Sequence, residues 1–296
     1  MIGNYSLVNE PWIPCHTSDG RIEELSLKDI FLRSEEIIDI VDTSPLVRAS
    51  LLRLILAIHL RSIGEMGVSI KANMWENRYL GADNVVEYLD KWSARFDLLD
   101  SERPFYQVPG FDAGTPQPIH KLALERSAGN NKILFDHRLD DEPEYVGQAE
   151  AARMLVTVQS YALQGGRSPT VHFANSPLIG KALVFIKGAN LFETILLNSV
   201  TYDPNYPSRP LSSERPSDGE DMPYWEVDEP EPPGKARAPR GYLDYLTWQS
   251  RAVRLINEPD GIRRTYFAQG TKLDEGFYDP MVSYKVDDKG VRRALG

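Results

Sequence analysis

Along its first hundred residues the chain switches between short β-type runs and helical spacing. Tyr5 to Val8 reads as a strand, then Trp12-Ile13-Pro14, a polar turn at Ser18-Asp19-Gly20, and Arg21-Ile22. Short β-prone runs parted by a Gly-containing turn are hairpin chemistry. A brief helix follows around Leu25 to Ile30. Thr43-Ser44-Pro45 opens the first long helix, with Ser44 as N-cap and Pro45 at the first helical position. Leu51, Leu52, Ile55, Ile58 and His59 then recur every three or four residues, Arg48, Arg53 and Arg61 are the polar breaks, and the pattern ends by Gly64 and Gly67.

A second helix is predicted from Asp83 to about Phe96, with Val86, Leu89 and Trp92 on one face. A third, Gly147 to Leu163, carries Ala152, Leu155, Val156, Gln159 and Tyr161 and stops at Gly165-Gly166, where glycine suits a left-handed C-cap. Residues 101–120, rich in proline, are expected to be irregular. Lys181 to Ile186 is the clearest strand, and Leu191 to Val200 reads as a helix. Tyr242 to Arg251 reads as a short helical piece feeding a strand through Val253 to Ile256, and Met281–Lys285 with Val291–Gly296 as a hairpin around Asp287-Asp288-Lys289-Gly290.

Composition changes the picture between residues 203 and 240, where nine of the 21 prolines fall. Glu214 to Glu231 holds eight acidic residues and one basic one, so this stretch is expected on the surface, anchored by Trp225. The length of 296 residues suits one large domain or two modest ones. Overall, 43 Asp+Glu against 33 Lys+Arg give a charge of −10, which disfavours a free-standing binder of nucleic acid. Lys235 to Arg264, however, carries seven basic residues against three acidic. No apolar run approaches the roughly 20 residues of a membrane span. The start, MIGNYSLVNEPW, has no signal-peptide pattern, and the single cysteine, Cys15, excludes an intrachain disulfide. A cytoplasmic protein with no membrane partner is expected.

Catalytic signatures are absent: there is no H-E-x-x-H, G-x-S-x-G, Walker loop or G-x-G-x-x-G. The five histidines are scattered, and His59 lies on an apolar helix face, as a hydrogen-bonded core residue does. Cys15 reads as a buried small residue. One alternative is a metal-dependent hydrolase built on Asp140, Asp141 and Glu142 with nearby histidines; another is a structural scaffold whose loops touch only protein. Two loops have the composition of a nucleic-acid contact. Ser127 to Lys132, leading to Phe135, Asp136, His137 and Arg138, combines glycine, amides, basic groups and an aromatic able to stack or wedge. Gln164-Gly165-Gly166-Arg167-Ser168 offers exposed backbone N–H groups, close approach and charge.

Seven short strings, in order along nearly the whole chain, resemble the CasA family, the large subunits of the type I-E CRISPR surveillance complex Cascade. They are Leu7-Val8-Asn9-Glu10-Pro11-Trp12-Ile13-Pro14; Glu102-Arg103-Pro104-Phe105-Tyr106-Gln107; Asn130-Asn131 with Leu134 to His137; Gln148 to Arg153 leading to Gln164-Gly165-Gly166; Leu196-Leu197-Asn198; Trp225-Glu226; and Leu246 to Arg251. The resemblance implies that residues 1–296 form a single α+β N-terminal domain of unusual topology, with small sheets and packed helices and the Pro-rich acidic segment at about 203–240, and that the family's C-terminal helical bundle is absent from this chain. It implies no catalysis and no cofactor.

It further implies that the chain works beside other Cascade subunits and their CRISPR RNA, which reads the target by pairing. The large subunit reads the short protospacer-adjacent motif (PAM) in double-stranded target DNA, helps load the target, and recruits a trans-acting helicase-nuclease. By the resemblance, the family's first loop falls on Gly129, Asn130, Asn131, Lys132, Phe135, Asp136 and His137, the last standing where relatives often carry asparagine. The PAM-reading glycine loop falls on Gln164, Gly165, Gly166 and Arg167, and the lysine that reaches the PAM on Lys272. The family's wedge hairpin is expected beyond residue 296.

Overall fold

The structure is a computed structural model that describes residues 4–64, 66–124, 144–165, 173–200, 221–229, 231–274, 277–288 and 292–295. It is α+β: four small sheets are packed with helices around one cluster of buried side chains that runs from Leu7 to Met281.

The N-terminal hairpin forms as expected, β1 (Ile13–Thr17) pairing antiparallel with β2 (Ile22–Leu25), and β3 (Ile37–Ile40) adds on the other edge of β1. Tyr5 to Val8 is not a strand; only Ser6 bridges, to Asp97. Its apolar residues instead turn inward, and Trp12 donates its indole N–H to the Leu7 carbonyl at 2.9 Å. Helix α1 (Leu27–Leu32) has a capping box, in which the Ser26 hydroxyl accepts from the Asp29 N–H and the Asp29 carboxylate from the Ser26 N–H.

Helix α2 (Pro45–Ile63) is buried along most of its length. Its N-cap Ser44 makes no side-chain cap bond; Asp42 instead accepts from the Ser44 N–H. Arg53, expected as a polar break, is buried and paired with Asp279. Helix α3 (Val68–Asn77) was masked in the sequence by its flanking glycines and weak amphipathicity. Helix α4 (Ala82–Lys91) ends before the expected Phe96 because a 3-10 turn over Ser93–Phe96 takes over, and it buries Val85 rather than Val86. Helices α5 (Gln148–Tyr161) and α6 (Leu191–Asn198) stand where expected.

Lys181 to Ile186 is not a regular strand. Leu183 forms one bridge to Val282, while Val184 and Ile186 stay exposed, so its β-propensity meets no continuous ladder. The acidic stretch is less superficial than its composition suggests. Residues 203–220 lie outside the described part, but Trp225 is buried and donates to the Tyr88 hydroxyl, and Arg61 pairs with Glu226.

Beyond it, α7 (Tyr242–Leu246) leads into β6 (Arg251–Glu258), which pairs antiparallel with β7 (Gly261–Gln269). On the far edge of β7 lies β4 (Gln117–Pro118), and a parallel pair joins β5 (Ala236–Arg237) to β8 (Lys272–Leu273). The expected terminal hairpin is β9 (Tyr284–Val286) with β10 (Arg292–Ala294).

Candidate nucleic-acid interface

The β6–β7 hairpin carries the feet of both candidate loops. At its turn end, Val146 bridges Ile262, and Gln117 and Pro118 pair with Thr265 and Arg264, so described chain on both sides of residues 125–143 runs beside β7. At its other end, Arg251 stands opposite Gln269, and both hold the chain that flanks residues 166–172. Ile262 and Gln269 are seven residues apart, which in a strand is about 23 Å. Gly129, Asn130, Asn131, Lys132, Phe135, Asp136, His137, Gly166 and Arg167, like Asp140, Asp141 and Glu142, lie outside the described residues. Gln164, Gly165 and Lys272 lie within them.

Gly165 is not the cap of α5. The C-cap is Ala162, with φ −66°, and the chain continues extended. Gly165 and Phe173 exchange two backbone hydrogen bonds, 3.1 and 2.7 Å, which close the loop between them. Asn175 accepts from the Gln164 N–H at 2.8 Å, and Gln269 Oε1 accepts from the Ala174 N–H at 2.7 Å. A Cβ on Gly165 would meet nothing within 4 Å, and its φ is not positive. The fold itself therefore does not demand glycine there. Gly270 is the opposite case, since a Cβ would come within 2.5 Å of the Gln249 carbonyl oxygen.

Arg251 fixes the foot of this loop. Only 1% exposed, it sends Nη2 to the carbonyls of Ala162, Leu163 and Ala174 at 3.2, 3.1 and 2.8 Å, and Nη1 to that of Ser250 at 2.9 Å. Its guanidinium lies 5.3 Å from the Phe173 ring centroid. Gln159 at the end of α5 accepts from the Arg251 N–H and donates to its carbonyl, and the Ser250 hydroxyl donates to Gln159 O. No carboxylate among the described residues pairs with Arg251, and Nε has no partner. Burial alone pushes its pKa down to about 10, so it remains cationic at neutral pH. The sequence 165–173 contains no acidic residue, only Arg167 and His172.

Lys272 donates its backbone N–H to the Lys235 carbonyl at 2.8 Å and is half-buried. It stands three positions after Gln269, so their Cα atoms are at most about 11 Å apart. The loop foot and Lys272 thus share one end of the hairpin. Sequence reasoning missed Arg251, Gln269 and Phe173 as supports of the loop. A signal for the first existed: Arg251, Val253 and Leu255 alternate along β6, which puts the arginine at an inward position. His59 and Cys15 are core residues as expected, the latter with its thiol pushed up to about 12, chiefly by burial. No group of His, Cys, Asp and Glu among the described residues is arranged to hold a metal ion, and no described helix is long and apolar enough to cross a membrane.

The class that fold and motifs define is that of the CRISPR-associated proteins. Residues 6–295 match the family model of CRISPR-associated protein Cse1, and the chain belongs to that family. It is 33% identical to CRISPR-associated protein CasA/Cse1 of Thermus thermophilus over 97% of its own length and 56% of that protein's. The solved structure of Thermus thermophilus CasA superposes with a TM-score of 0.81 at 30% identity, covering 99% of this chain and 60% of that one. Thermobifida fusca Cse1 gives 0.80 at 27%, covering 99% and 58%. A chain of a CRISPR RNA-guided surveillance complex shares the fold at 0.81 and 24% identity, covering 98% and 60%. The chain spans a little under two thirds of the length of these relatives.

Proposed function

We propose that this chain is the DNA-recognition part of a non-catalytic subunit in a type I-E CRISPR RNA-guided surveillance complex, where the glycine loop reads the PAM in double-stranded DNA. Family membership supports the setting. The observation that carries the reading is Gly165, with open space at its Cβ position, held at its foot by a buried cation that pairs with no described carboxylate. A small residue with open space at its Cβ position permits backbone to approach a narrow groove, where contacts separate A·T from G·C rather than single bases. Lys272 at the same end supplies a further positive group. Residues 129–137 dock against the RNA-bearing body and the target, and the complete protein helps load the target and recruits the helicase-nuclease. The net charge of −10 suits this role: such a subunit binds DNA weakly alone and selectively when the assembly holds the duplex in place.

Site-specific crosslinkers at Gln164 and Asn130 test the reading in the assembled complex. Transfer of label to the target duplex supports it. Label found only on sibling subunits contradicts it and favours the scaffold alternative.

A further inference from the structure

Arginine pairing divides this molecule in two. Outside the β6–β7 hairpin, every arginine with a described side chain meets a carboxylate, from Arg21 with Asp19 to Arg153 with Glu24 and Arg293 with Asp287. Within it, Arg251, Arg254 and Arg263 have no ion pair with any described residue, although acidic residues outnumber basic ones in the chain as a whole.

Arg251 is occupied with holding the loop foot, and Arg263 lies over Tyr145 at the hairpin's turn end. Arg254 differs from both. It stands directly opposite Tyr266 in the β6–β7 register, with its guanidinium 4.6 Å from the ring centroid, and its side chain donates to no described acceptor. Stacking on an aromatic face fixes the plane of a guanidinium while leaving its edge donors available for oxyanions. By the two-residue period of strands, Arg254, Ile256, Arg264 and Tyr266 share one face, opposite that of the buried Val253, Leu255 and Thr265. Arg264 is the diagonal neighbour of Arg254 across the ladder, at roughly 7–8 Å. This face lies between the Gly165 foot and the feet of residues 125–143.

We propose that Arg254, stacked on Tyr266 with Arg264 diagonal to it, contacts the phosphate backbone of double-stranded target DNA along the outer face of the β6–β7 hairpin. The proposal rests on the duplex-recognition reading above and extends it to a second surface. Charge complementarity selects the occupant: a polyanion neutralises the Arg254 guanidinium, which pairs with no described carboxylate in a chain that is acidic overall. Such a contact positions the duplex and carries no sequence information.

The test is a salt titration of target-duplex binding by the assembled complex carrying Arg254→Gln or Arg254→Lys, with Gly165→Asp in parallel. Losing one phosphate contact makes the slope of log K against log salt shallower by about 0.9 and weakens binding alike for duplexes with and without the PAM. Arg254→Gln is expected to show that change, about threefold to tenfold in affinity at low salt, and Arg254→Lys to retain the slope. An unchanged slope with Arg254→Gln overturns the proposal. So does failure of that variant to join the complex, which would assign the face to a sibling subunit or to the guide RNA. If Gly165→Asp leaves PAM dependence intact while Arg254→Gln flattens the slope, the PAM reading fails and the backbone contact stands.

Discussion

Arg53 and Arg251 are two buried arginines that the molecule accommodates in opposite ways. Arg53, in the middle of α2, meets Asp279 at 2.7 Å across 226 residues of sequence, with Tyr245 beneath its guanidinium. Burial alone would lower its proton affinity, and the Asp279 carboxylate more than offsets this, holding it above the ordinary arginine value. Arg251 donates only to carbonyl oxygens among the described residues, with the Phe173 ring beside it, and burial lowers its pKa. The first pair closes a core, since it ties the long helix to the segment leading into β9. The second is a clamp that gathers three chain segments under a loop and leaves a net positive charge there. A buried charge with its counter-ion is internal architecture. One without a counter-ion gives a loop a fixed foot and a field that favours an anion.

The largest expected effect is at the paired site. Asp279→Asn leaves Arg53 as a buried charge without its partner, and a loss of about 3–5 kcal/mol is expected in denaturant unfolding. A loss below about 1 kcal/mol would show that water reaches the pair and would erase the contrast. Next comes acid sensitivity in the same core. His59, two turns further along α2, sits 2.9 Å from Ser199 Oγ and 3.1 Å from the Leu80 carbonyl oxygen, and burial pushes its pKa down to about 4. Against about 6.5 in the unfolded chain, its contribution is complete above pH 6.5 and is lost as pH falls toward 4, by up to roughly 3 kcal/mol. Unfolding measured across that window should flatten in His59→Gln.

Arg251→Gln is expected to cost about 1.5–3 kcal/mol, because charge-assisted bonds to buried carbonyls are lost. Its more telling effect is on the loop: hydrogen exchange at the Gly165 and Phe173 amides should rise well beyond what global destabilisation produces. Protection that falls only in step with global stability would make Arg251 an ordinary core residue. The smallest stability effect is at Gly165→Ala, within about 0.5 kcal/mol by thermal unfolding, since its Cβ meets nothing.

Local patterning made the hairpin of β1 and β2, α1, α5, α6, the α7–β6 junction and the β9–β10 hairpin legible, because each has its own punctuation of turn residues and apolar spacing. The strings that carried the family resemblance turn out to include many polar pins of the core. Gln107 donates to the Leu98 carbonyl and accepts from Leu255 of β6; Asn198 donates to the Ile186 carbonyl and accepts from its N–H; Arg251, at the end of the last string, is gripped through its backbone by the Gln159 amide, which lies in none of the strings. Such residues form recognisable strings because a buried amide must find particular partners. What stayed hidden was set at long range. Arg53 looks like a surface break until Asp279 arrives from the far end of the chain. Lys181–Ile186 has β-prone residues but no neighbouring strand to continue its single bridge. The acidic stretch is anchored by Trp225 as its sequence suggests, but the Arg61–Glu226 pair that ties it to α2 has no local signal. Of the candidate interface, the glycine loop was legible as a string, and its clamp was not, since Arg251 acts through carbonyls that no side-chain pattern reveals.

We propose that Gly165 serves a partner rather than the fold. This is tested most directly by measuring both thermal stability and PAM-dependent duplex binding of the assembled complex with Gly165→Ala and Gly165→Asp. The expected result is an unchanged unfolding midpoint for Gly165→Ala, with PAM-dependent affinity falling in Gly165→Ala and further in Gly165→Asp. Unchanged PAM-dependent binding in both variants would contradict it.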